Sequence, residues 1–126
     1  MKVMVYEGPR TITIAEVPDP PLGRDQIRIR TLFTGISHGT EMAVYRGTAP
    51  FFSRRKDETT ALFAAANTDQ AWSYPVRSCE PGVWYMGYAS VGEVVEMGAD
   101  VRTLQLGDIV YCNAPHQTQV VKLESE

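Results

Sequence analysis

Gly87-Tyr88-Ala89-Ser90-Val91-Gly92-Glu93-Val94-Val95-Glu96-Met97-Gly98, followed by Val101, Leu104 and Leu106-Gly107-Asp108-Ile109-Val110, carries most of the fold information in this chain. Val91, Val94, Val95 and Met97 suit a strand. Gly92 inside it predicts a bulge or a close backbone approach, where a Cβ would intrude. Gly98-Ala99-Asp100 and Leu106-Gly107-Asp108 are turns, each joining a glycine able to take positive φ to a carboxylate that can bond nearby backbone. The apolar Ile109-Val110-Tyr111-Cys112 reads as a strand. Asn113-Ala114-Pro115-His116 breaks it, and Gln117 to Leu123 reads as a last strand.

The N-terminal half uses the same vocabulary. Lys2 to Tyr6 and Thr11 to Val17 alternate with period two, and Glu7-Gly8-Pro9-Arg10 between them is turn chemistry, so a hairpin is predicted. Pro18-Asp19-Pro20-Pro21-Leu22-Gly23 lacks the donors for regular pairing and should cross the surface extended. Gln26 to Ile36 is the longest strand candidate, with Ile27 and Ile29 facing the core and Arg28 and Arg30 facing solvent. Ser37 or Thr40 can cap a short helix from Glu41 to Arg46, which Gly47 stops. Asp57 to Asn67 is a second helix candidate, capped by Asp57, with Leu62, Phe63 and Ala66 on one face. Many short strands with Gly and Pro turns and few short helices predict a mainly β domain, a partly open barrel.

The totals narrow the function classes. A length of 126 residues favours one domain, and 44% hydrophobic with 21% charged residues is ordinary globular composition. Net charge is −3, and the basic run Arg54-Arg55-Lys56 is followed at once by Asp57 and Glu58. It reads as a solvated patch, so no nucleic-acid partner is expected. Cys79 and Cys112 form no C-x-x-C pair, Glu7 and Arg10 interrupt any secretory core, and no apolar run is long enough to span a bilayer. No membrane partner and a cytoplasmic location with both thiols reduced are the expectation.

The segments Met1-Lys2-Val3, Pro18-Asp19-Pro20, Gln26-Ile27-Arg28-Ile29-Arg30 and Gly35-Ile36-Ser37, with Gly87 to Gly98 and Leu106 to Val110, together resemble a known family. It is the GroES-like N-terminal catalytic domain of the medium-chain dehydrogenase/reductase family, which includes the zinc-type alcohol dehydrogenases. The match covers about the first and last thirds, while Thr48 to Tyr85 (about 48–85) is an unmatched insertion. The resemblance implies a single GroES-like, partly open β-barrel over 1–126.

Departures from the family pattern bear on chemistry. Where zinc-dependent members carry a Cys after the Gly-Ile pair, and a His and Glu after the later Gly, this chain has Ser37, Tyr88 and Ala89. Serine and neutral tyrosine are poor zinc ligands and alanine is none. His38, His116, Cys79 and Cys112 lack metal-ligand spacing and read as two surface histidines and two buried thiols, so no metal is expected. The resemblance then implies zinc-independent carbonyl or alcohol chemistry, with Ser37, Gly87 and Ala89 lining the substrate. Thr40 would serve as a hydrogen-bonding relay, Tyr88 as a donor to a carbonyl oxygen and His38 as an outward proton path. Each also has a plainer role: Thr40 as helix cap, Tyr88 as a half-buried strand aromatic, His38 as an exposed loop residue. Glu41 reads as first-turn dipole chemistry.

The chain contains no G-x-G-x-x-G between a strand and a helix. No cofactor is expected in this chain alone, and NAD(P) only if a nucleotide-binding domain is supplied in cis or trans. The resemblance thus implies the substrate-side domain of an NAD(P)-dependent oxidoreductase, inactive by itself. The alternative is a stand-alone, self-associating binding module, a homo-oligomer that takes a small ligand or protein partner. In that case Phe51-Phe52, Leu62-Phe63, Trp72 and Trp84-Tyr85 would cover an exposed flank, unless they fill the core.

Overall fold

The computed structural model describes residues 1–65, 73–77 and 86–126. Cys79, Trp72, Trp84 and Tyr85, and the end of the expected second helix at Ala66 and Asn67, lie outside those residues.

The alternating segments form the predicted strands. β1 (Lys2–Gly8) and β2 (Thr11–Glu16) make the expected hairpin, and β3 (Gln26–Thr34) is the long central strand. Helix α1 (Thr40–Arg46) follows, stopped at Gly47 with φ 75°. A single 3-10 turn, Pro50–Phe52, precedes two three-residue strands, β4 (Arg54–Lys56) and β5 (Phe63–Ala65). Then come β6 (Val76–Arg77), β7 (Ser90–Met97), β8 (Ile109–Cys112) and β9 (Gln119–Leu123). Among the described residues they pair antiparallel in three sheets, β2-β1-β6, β8-β7-β3-β9 and β4-β5.

The segment 116–118 stitches the first two sheets into a partly open barrel. Val3 bridges to Gln117, Met4 N–H donates to His116 O at 3.2 Å, and Thr118 N–H donates to Lys2 O at 3.0 Å. One core gathers Ile27, Ile29, Val94, Cys112 and Val120 between the strands. A second collects Tyr6, Val44, Ala49, Val76 and Met86 under α1, with Phe51, Phe52 and Tyr74 packed against it. Part of the insertion therefore fills this second core, whereas Leu62 and Phe63 are exposed.

Three local expectations are corrected. The helix expected over 57–67 does not form; a hairpin stands there. Asp57 uses its carboxylate to accept the Thr59 and Thr60 N–H groups, each at 2.8 Å, and its own N–H donates to Leu62 O at 2.8 Å. A side chain that satisfies nearby amides this way offers the backbone a turn instead of a helix. Arg28 does not point to solvent. Its side chain is only 14% exposed, bonded to Glu96 at 2.7 Å and to Pro20 O at 3.0 Å beneath the proline crossing, while Arg30 is exposed and paired with Glu93. The cap of α1 is Gly39 rather than Ser37 or Thr40, although Ser37 Oγ accepts the Thr40 N–H at 3.2 Å. Gly92 behaves as expected: a Cβ there would lie 2.5 Å from Arg30 O.

The chain's last strand is tied back by Glu124, whose carboxylate accepts from Thr103 Oγ1 (2.6 Å) and from the N–H groups of Thr103, Arg102 (2.9 Å) and Leu104 (3.1 Å). The Thr103 side chain first, then these amides, hold its carboxyl at about 2, against an ordinary 4.5. Because the folded value is the lower one, this contribution to stability is present above 4.5 and is lost as pH falls through about 2. In urea titrations across that window, Glu124→Gln should show a smaller loss of midpoint than the wild-type chain. Equal losses would show that Glu124 does not carry the effect.

Candidate functional site

The ladder between β3 and β7 brings the two sequence-distant candidate segments to one end of the barrel. Phe33 pairs with Val91 and Thr34 with Ser90, and beyond them Gly35 N–H donates to Ala89 O at 2.9 Å. The turn 35–40 and the segment 87–89 therefore lie side by side. Ser37 and Ala89 are half-buried, Gly87 is buried, and His38 and Thr40 are exposed. Tyr88 precedes β7 rather than lying in it, and it is 45% exposed. The plainer reading of Tyr88 as a half-buried strand aromatic is thus corrected. So is the capping role for Thr40, which is the first residue of α1.

The structure adds two residues that the sequence reading assigned elsewhere. Glu41 does sit in the first turn of α1, as expected, but it is also 1% exposed, and its carboxylate accepts the Ser37 N–H and meets His116 Nε2. His116 is not a surface histidine; it is 7% exposed, and its backbone N–H donates to Met86 O at 2.9 Å. A helical phase argument could have found the first of them. Glu41 and Val44 are one turn apart on the same stripe, and both are the buried residues of α1. Nothing local marks His116, which lies 75 residues from Glu41.

Gly87 accommodates this arrangement. Its φ is +100°, in the region that disfavours side chains, and an added Cβ would come within 2.8 Å of His116 N and 3.1 Å of the His116 ring. Residue 87 can lie this close to His116 only because it is glycine. Tyr6 packs against the same place, and burial first, then the negative charge of Glu41, push its phenol up to about 12. Cys112 is buried in the other core, and burial raises its thiol.

Chemically, the two segments offer hydroxyls (Ser37, Thr40, Tyr88) and an exposed imidazole (His38), with a buried carboxylate–imidazole pair between Glu41 and His116. Among the described residues, no group of three or more His, Cys, Asp or Glu side chains is placed to hold a metal ion. The described residues also contain no helix long and apolar enough to cross a membrane.

No family model matches the chain. It is similar to D-guloside 3-dehydrogenase from Escherichia coli (strain K12), with 28% identity over 121 residues, 96% of this chain and 33% of that protein. The D-guloside 3-dehydrogenase of Shigella flexneri gives the same values. The chain thus spans about a third of the length of the curated relatives it matches. Among solved structures, the alcohol dehydrogenase TADH from Thermus sp. ATN1 superposes with a TM-score of 0.60 and 16% identity, covering 99% of this chain and 38% of that one. A mutant form of enoyl thioester reductase from Candida tropicalis gives a TM-score of 0.51 at 15% identity, covering 98% and 31%. At these identities the structural likeness establishes the fold.

Proposed function

From the premise that this chain is a GroES-like domain of the kind found at the N-terminus of medium-chain dehydrogenases/reductases, we propose that it is the substrate side of an alcohol-oxidising dehydrogenase. The substrate class is a secondary hydroxyl on a sugar glycoside. What supports this reading is the Gly35–Ala89 hydrogen bond at the end of the β3–β7 ladder, which sets the segments bearing Ser37, Thr40 and Tyr88 beside each other, in a chain similar over almost its whole length to a guloside dehydrogenase. In that cleft Thr40 and Tyr88 bond the reacting oxygen, Ser37, Gly87 and Ala89 line the ring, and exposed His38 carries the proton to solvent. Oxidation of a secondary alcohol to a ketone releases a hydride from the carbon and a proton from the hydroxyl oxygen. The proton leaves through these residues.

The residues present do not fit zinc at the positions where the family binds it. Ser37 Oγ already accepts the Thr40 N–H, Ala89 has no donor atom in its side chain, and Tyr88 is a neutral phenol. They also do not supply a dinucleotide site, since the chain has no glycine-rich strand-to-helix turn. NAD(P) and its hydride chemistry belong, in this reading, to a nucleotide-binding domain. An apolar row on the outer face of the four-stranded sheet supports such a partner: Phe33 (73% exposed), Val91 and Tyr111 (67%) stand directly opposite one another across β3, β7 and β8.

The test combines this chain with a nucleotide-binding domain and follows dinucleotide reduction by glycosides. Turnover is expected, with Thr40→Ala lowering it about a hundredfold. Absence of turnover, together with no glycoside-induced shift of the Ser37, Thr40 or Tyr88 amide resonances, would end the proposal.

A further inference from the structure

Three segments far apart in sequence meet at the buried Glu41–His116 pair. One oxygen of the Glu41 carboxylate holds the Ser37 N–H and the other holds His116 Nε2. His116 is fixed through its backbone on two sides, by Met86 O at 2.9 Å and by the Met4 N–H at 3.2 Å, and Gly87 lies against its ring. The three segments are thus the turn 35–41, the strand entry 86–89 and the β8–β9 connection. The first two carry Ser37, Thr40 and Tyr88.

A hydrogen-bonded polar pair at this depth is a poor way to gain stability alone. Taking polar and charged side chains out of water is costly in general, and apolar side chains of similar volume often do as well or better. What the pair supplies is direction. A carboxylate with one donor on each oxygen fixes both partners in angle as well as distance, which apolar contact does not.

We propose that Glu41 and His116 are positioning residues that set the separation between the Ser37–Thr40 turn and the Gly87–Ala89 segment, and so aim the Thr40 and Tyr88 hydroxyls across the cleft. The use of the cleft rests on the functional reading above; the coupling itself does not, and it is measured without substrate or cofactor.

Amide hydrogen exchange of the whole chain under increasing urea tests it. Gly35, Ser37 and His116 donate to Ala89 O, to the Glu41 carboxylate and to Met86 O, so their amides report the three segments separately. In wild type they should open as one unit, with the same protection and urea dependence. Openings that differ by more than about tenfold among the three would overturn the coupling. Variants then separate positioning from mere stability. In Glu41→Leu/His116→Leu, which removes both polar groups together, Gly35 exchange should rise about tenfold relative to Thr31, whose N–H pairs with Thr118 O in the barrel ladder. In His116→Gln, which retains an N–H donor for Glu41, Gly35 should stay within about twofold of wild type. Wild-type exchange at Gly35 in a folded double-leucine variant would overturn the proposal. If that variant does not fold, the wild-type measurement decides. Coupled exchange without glycoside binding would leave the pair standing and remove the functional reading.

Discussion

His116→Leu is expected to lower the unfolding free energy by about 3–5 kcal/mol, measured by urea denaturation at neutral pH. The change deletes the Nε2 partner and leaves the Glu41 carboxylate, 1% exposed, with the Ser37 N–H as its remaining donor among the described residues. Two effects compete. Leucine gains roughly 1.5–3 kcal/mol from burying apolar surface. A buried carboxylate stripped of its partner loses more, because the low-dielectric surroundings cannot replace the lost hydrogen bond. The loss wins. Since whole domains are stable by about 5–15 kcal/mol, this single change removes much of the margin. His116→Gln, which keeps a donor, should cost far less. A leucine variant as stable as wild type would mean that Glu41 finds another partner, and the energetic account of the pair would fail.

Gly98→Ala should cost about 3 kcal/mol for a different reason. A methyl group at position 98 would stand 2.3 Å from Gly23 O and 2.3 Å from Arg24 O. Both neighbours are backbone, so neither can rotate away as a side-chain tip would. The two turns are also cross-bonded: Gly98 N–H donates to Gln26 O at 2.8 Å, Asp100 N–H to Arg24 O at 2.7 Å, and Arg24 Nε to Asp100 at 2.9 Å. Making room for the methyl means separating them and losing some of those bonds. Gly8→Ala is the control, since nothing lies within 4 Å of a Cβ built there. Its effect should stay within about 0.5 kcal/mol. Equal midpoints for the two variants would show that the 23–26 and 98–101 turns part easily.

The barrel was legible because its strands obey rules that act over a few residues. Alternation in 2–6, 11–17 and 26–34, proline at 18–21, and glycine at 47, 92 and 98 each leave a signature along the chain. The segment 57–65 misled for the same reason. Its apolar residues fit a helical face, but Asp57 commits its carboxylate to the Thr59 and Thr60 amides, and that local competition outweighs a weak periodicity. Arg28 misled because alternation tells which face of a strand a residue occupies, not what crosses over that face. The proline segment covers it.

The site divides along the same line. By itself, the sequence marked the two short segments, 35–40 and 87–89, through their resemblance to a family's motifs, and the glycines and strand ends that bound them are local properties. The tertiary structure alone decided that these segments lie side by side, and that Glu41 and His116 hold them from beneath. A carboxylate on a short helix and a histidine after a proline are each ordinary at the surface. Only when β3, β7 and the β8–β9 connection close around them does water leave, and a commonplace pair of side chains becomes a buried hydrogen-bonded pair with a fixed direction.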